Sequence, residues 1–201
     1  MKLDLSNFDD VRTLIRSRLL SAETHDLSFV SKIPAGDADC DLYRCYYVAV
    51  PAPDGFAPWD VTDALLDCWG LSVDDVARIA SENEHGTAVV QRMSDVLQEY
   101  LSDAPWCDPT PIFVISRHGS TYYGASALFD VQDQLDALFP SGAYVLPSSL
   151  FELLFISVEG QDPQALASMV REINSSDVIT PADKLSDHVY KYMAGKLTLA
   201  A

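Results

Sequence analysis

The residues best suited to chemistry lie in "YVLPSSLFELL", where Pro147, Ser148, Ser149 and Glu152 interrupt an apolar run. Two adjacent hydroxyls could supply the nucleophile of a hydrolase or transferase if His118 or His188 met one of them as a base. The local sequence argues against this. An elbow-type nucleophile needs small residues on both sides, GxSxG, and a Ser/Lys mechanism needs SxxK. Here Pro147 and Leu150 flank the serines, and the third residue after Ser149 is Glu152. Ser149-x-x-Glu152 has the spacing of a capping box, in which the hydroxyl accepts from the backbone and the carboxylate reaches back. The stretch is therefore expected to cap one turn and redirect the chain between two strands.

A second candidate is "VISRHGST", an apolar run followed by Arg117-His118-Gly119. It resembles the opening of the histidine phosphatases, where the histidine takes up the phosphoryl group and the arginine binds it. Too little chain follows Arg117 to complete the large parallel sheet of that family. The expectation is a polar turn, with Gly119 supplying a positive φ.

Thirty acidic against thirteen basic residues give the chain a net charge of −17. Bare nucleic acid and anionic membranes are disfavoured as direct partners, and a basic or nucleic-acid-binding protein is favoured. The charge is dense between Asp60 and Asp103, where ten carboxylates face two arginines. Asp60, Asp63, Asp67, Asp74, Asp75, Glu82, Glu84, Asp95 and Glu99 form the expected interaction surface, because carboxylates spaced along helices can imitate a phosphate backbone. The alternative is a solvated helical face with no role.

Other chemistry finds little support. Four cysteines (Cys40, Cys45, Cys68, Cys107) and four histidines are scattered without CxxC, HExxH or a DxDxDG loop, so no cofactor or metal is expected and the thiols read as reduced and mostly buried. No apolar run approaches the roughly 20 residues that span a bilayer, and the N-terminus lacks the apolar core of a secretory signal, which points to the cytoplasm.

The elements that must position these groups are read from periodicity. Asn7 is expected to cap a helix through about Leu20, with Phe8, Val11, Leu14, Ile15 and Leu19 on one side. "LSFVSKI" and "LYRCYYVAV" read as an antiparallel strand pair, and the proline-rich "PAPDGFAP" as the clearest loop. Helices are expected over Val61 to Cys68, over Val73 to Glu82 behind a Ser72 cap with Asp75 in the capping box, and over Thr87 to Leu101. The second half alternates: "PIFVIS", "AYVLP" and "ELLFISV" as strands, "GASALF" as strand or helix entry, "DVQDQLDALF" and "DPQALASMVREIN" as helices, and a hairpin around Ala194-Gly195. The sum is an α+β chain read as a single domain, 1–201. Its parts are an N-terminal helix and hairpin (1–58), an acidic all-helical segment (59–104) and a sheet-rich core (105–201) whose sheet is mostly antiparallel or mixed.

"VTDALLDCWGLSVDDVARIASEN", "FVIS" followed by "YYGASAL", "YVLPSSLFELL", "MVREIN" and "DKLSDHVYKY" occur here in that order, and together they resemble a domain-of-unknown-function family, number 5688, of gut Firmicutes and their relatives. The resemblance covers about residues 60–197. It implies a Pro-Ser-Ser-x-His-Glu corner, in which Phe151 here replaces the histidine and with it the nearest proton carrier. It implies no activity, and the frequent placement of such genes near mobile elements implies a role in conjugation, phage biology or defence.

The leading expectation is a non-enzymatic acidic binding protein acting on a protein partner, as a mobile-element accessory or a DNA-mimic inhibitor of a host defence system. In that form, neutralising Asp63, Asp67, Asp74 and Asp75 removes inhibition and leaves the fold intact. Its rivals are the hydrolase or transferase using Ser148 or Ser149 with His118 or His188, and a structural or dimerisation module.

Overall fold

The computed structural model describes residues 3–53, 55–100, 110–118, 123–147, 149–176 and 179–201, apart from the side chains of residues 99 and 100. Two antiparallel sheets account for the strands. The first joins β1 (Ile15–Ser21), β3 (Leu42–Ala52) and β2 (Lys32–Pro34) in the order β1-β3-β2, with β4 (Gly55–Asp60) also paired to β3. The second has six strands in the order β10-β9-β7-β8-β6-β5: Lys196–Leu199, Tyr190–Met193, Ala143–Leu146, Leu153–Ser157, Ile112–Arg117 and Ala88–Arg92. All ladder pairings among the described residues are antiparallel, and five of the six strands of the larger sheet come from the C-terminal half, so the α+β class and its antiparallel sheet hold.

Three hydrophobic cores alternate with these layers. Val11, Ile15, Tyr46, Val48 and Val61 pack against Val76, Ile79 and Ala80 of α3 (Val73–Glu84), beside α2 (Asp63–Trp69). Leu19, Leu20, Leu42 and Cys45 meet Ile115, Leu153, Phe155, Tyr190 and Tyr192 in the central core between the sheets. Leu166, Ala167 and Val170 of α6 (Pro163–Asn174) cover Leu146 and Ile156 on the far face of the second sheet. Apolar surface on both faces of each sheet is what forces this helix-sheet-sheet-helix stack.

Several caps form as their residues dictate. Ser72 and Asp75 close the capping box of α3, and Asp162 accepts from Gln164 N at 3.0 Å ahead of Pro163. Ala194 and Gly195, both at positive φ, turn the β9–β10 hairpin.

Four expectations fail, each where tertiary pairing overrides local pattern. Asn7 does cap a helix, but α1 is only Phe8–Val11 and a single 3-10 turn follows, because Ile15 onward pairs with β3 from Ile15↔Val48 to Ser21↔Leu42. Of 27–33 only the end is strand, in β2. The 51–58 loop is a hairpin: Pro51 lies beyond the last β1 partner, Val48, and Pro58 lies on the edge strand β4, positions where a missing N–H breaks no ladder. The middle is not all helical, since Ala88, Val89 and Val90 pair with β6 and only Met93–Tyr100 forms the helix α4. "GASALF", read as strand or helix entry, takes the second form: a 3-10 segment, Gly124–Phe129, ahead of α5 (Gln132–Leu138).

Candidate functional site

Family-fingerprint residues and the acid-rich helix meet at one place, the seam between the two sheets. Glu84 ends α3 on the helix's apolar face, four and eight residues after Ala80 and Val76, and only 1 % of its surface is exposed. Its Oε1 accepts from Ser17 N at 2.8 Å and its Oε2 from Ser17 Oγ at 2.7 Å. Arg117, at the end of β6, brings Nη2 to 3.3 Å from Glu84 Oε2 and to 2.7 Å from Asp130 Oδ2. The same guanidinium donates to Thr87 Oγ1 at 2.9 Å and to Ser126 Oγ at 3.3 Å. Ser126 donates in turn toward Ser17 O and Tyr123 O. Arg44 lies over the Phe129 ring at 4.8 Å and donates to Ser81 Oγ at 3.0 Å. Burial pushes the Glu84 carboxyl up from its ordinary value, against the opposing pull of Arg117 and the two Ser17 donors.

An aromatic file continues from this seam. Tyr47 packs edge-on to Tyr123 at 5.3 Å, and Tyr123 stacks on Phe151 at 5.6 Å. The Arg18 guanidinium faces the Tyr47 and Tyr123 rings and pairs with Asp60. Gly124 is required here: a Cβ would stand 2.0 Å from Phe151 O and 2.9 Å from Arg117 N. Ala125 N donates to Leu150 O at 3.1 Å, so "YYGASAL" and "PSSLFEL" are pinned together through backbone.

The corner itself redirects the chain between β7 and β8, as its sequence suggests, but by different bonds. Ser149 Oγ accepts from Phe151 N at 3.1 Å, a turn two residues long, and no helix follows for a capping box to serve. Pro147 is buried, Glu152 is half-buried, and Ser148 lies outside the described residues, as does Gly119. No hydrogen bond among the described residues joins Ser149 to either histidine. His188 Nε2 lies 3.0 Å from Glu23 Oε2, and His118 N donates to Thr87 O.

The family model for a family of unknown function, DUF5688, matches residues 1–194. The chain belongs to that family. Membership thus reaches well before residue 60, into the β1–β4 sheet. No curated protein and no solved structure matches this DUF5688 chain.

The carboxylates expected to form one acidic surface separate into three groups. Glu84 must be withdrawn from it, since Ser17 and Arg117 hold it in the seam. Asp60, Asp63, Asp75 and Glu82 are engaged locally: with Arg18, with Ser31 Oγ at 2.6 Å, with Ser72, and with Arg78 at 2.8 Å. Asp67, Asp74 and Asp95 are exposed, with no salt bridge among the described residues, and the Glu99 side chain lies outside the description. Cys40 and Cys45 are buried, with thiols pushed up to about 11 and about 12 by desolvation, whereas Cys68 is exposed and Cys107 lies outside the described residues. Among the described residues no helix is long and apolar enough to cross a membrane.

Sequence reasoning missed Arg117 as an interior ion. The available signal was Glu84, a carboxylate on the apolar stripe of its own helix, which at that depth requires a cation from elsewhere.

Proposed function

We propose that this DUF5688 chain is a non-enzymatic acidic binding protein whose partner is a protein with a basic, nucleic-acid-binding surface. The observation that carries the reading is the set of exposed carboxylates, Asp67, Asp74 and Asp95, that form no salt bridge among the described residues, on a chain of net charge −17. Such charges steer a cationic partner and lose their effect as salt screens them, over about 10 Å at 0.1 M ionic strength. The narrower form is a mobile-element accessory that inhibits a host defence protein by presenting these carboxylates in place of DNA phosphates.

The test is capture of partners from the native host at low and at high salt, with the wild type and with Asp67→Asn/Asp74→Asn/Asp95→Asn. The reading expects a salt-sensitive partner that the triple variant fails to hold while its unfolding curve is unchanged. Asp75 is left intact because its carboxylate accepts from Ser72 N and Ser72 Oγ in the capping box of α3, so neutralising it would perturb the helix start as well as the surface. Capture indifferent to both salt and the substitutions would overturn the reading.

A further inference from the structure

Arg117 is shared between two carboxylates, and it sits closer to the one with access to water. Its Nη2 lies 2.7 Å from Asp130 Oδ2, a side chain 22 % exposed, and 3.3 Å from Glu84 Oε2, which has no exposure. Glu84 therefore depends as much on Ser17 as on the cation. The charged and titratable groups around it are Arg117 from β6, Arg44, Tyr46 and Tyr47 from β3, and, through Arg117, Asp130 beyond the 3-10 segment.

We propose that Glu84, Arg117 and Asp130 form a proton-operated joint: when Glu84 takes up a proton, Arg117 remains with Asp130, and the contact between α3 and β6 is released while both sheets stay folded. The proton has a place to go. It binds Oε2, which changes from acceptor to donor toward Ser17 Oγ, while Oε1 keeps the Ser17 N–H. Arg117 loses one acceptor and retains Asp130, Thr87 and Ser126. Burial already favours the neutral carboxyl, so the native protein takes the proton before the unfolded chain does, and uptake does not require unfolding.

The experiment follows the Glu84 carboxyl carbon and the Arg117 side-chain nitrogens by NMR in the full chain from pH 8 to pH 4. The joint predicts a Glu84 midpoint above 4.5, an Arg117 shift with the same midpoint, and amide dispersion kept throughout. Glu84→Gln should place the Arg117 resonance at its low-pH position at every pH. Asp130→Asn should lower the Glu84 midpoint, because the cation then has only one carboxylate to serve. A Glu84 midpoint at or below 4.5, an Arg117 signal that ignores it, or collapse of dispersion on protonation would each overturn the proposal, and all three are read on the wild type without any variant having to fold.

Discussion

Two carboxylates tie the first sheet to the second, and they do it by different physics. Glu84 is dry and faces a guanidinium. Asp41, just before β3, is half-buried and is held by hydroxyls: Ser21 of β1 and Tyr190 of β9 both donate to it, and Ser186 Oγ lies 2.7 Å from the Tyr190 hydroxyl. Burial, reinforced by the bond to Asp41, holds the Tyr190 hydroxyl far above its ordinary range, so it stays a donor. The ionic seam depends on its cation, because losing Arg117 strands the Glu84 charge in a low dielectric, whereas Arg117 without Glu84 still has Asp130. The hydroxyl seam can lose a member and admit water at Asp41.

The largest expected effect comes from breaking the ionic side alone. Arg117→Met leaves Glu84 buried without its cation, and a loss of about 3–5 kcal/mol in urea unfolding is expected. Glu84→Gln should cost much less, since Arg117 keeps Asp130 at 2.7 Å. The two should also diverge with pH. Because the folded Glu84 carboxyl is raised above 4.5, its favourable contribution is complete below that pH and is lost as pH rises through the folded midpoint, so wild type should lose ground to Glu84→Gln over that window. Equal costs for Arg117→Met and Glu84→Gln, with no pH dependence between them, would dissolve the distinction between the seams.

On the hydroxyl side the expected loss is smaller. Tyr190→Phe removes the donor to Asp41 and the partner of Ser186, with the ring still packed in the central core. About 1–2 kcal/mol is expected, the range for a buried hydrogen bond whose remaining acceptor can reach water. A loss as large as that of Arg117→Met would mean Asp41 is as dependent on its partners as Glu84.

The same contrast explains what could be read from sequence. α3 and α6, with caps at Ser72 and Asp162 and apolar stripes, were legible because local pattern and tertiary packing agree. The stretch from Ile15 to Leu20 reads as helix because its apolar spacing fits both periods, and only pairing with β3 decides. The seams were illegible for a stronger reason: Ser17, Glu84, Arg117 and Asp130 lie on or beside four different elements spread along the sequence, and nothing local states which carboxylate will be buried with which cation. The exposed acids showed in composition, but their division into free, capped and buried groups depends on contacts.

The smallest effect belongs to the corner that looks most like a site. Ser149→Ala removes one hydroxyl acceptor from Phe151 N, at a half-buried position that water can reach, and should cost about 0.5 kcal/mol. The corner's shape does not depend on that bond. Ala125 N to Leu150 O, Leu150 N to Asp183 O and the close approach of Gly124 to Phe151 O hold it through backbone. Thermal unfolding and partner capture of Ser149→Ala should therefore both resemble wild type. If the variant instead kept its stability and lost function outright, Ser149 would have to act as a reacting group, and the non-enzymatic reading would give way to the hydrolase one.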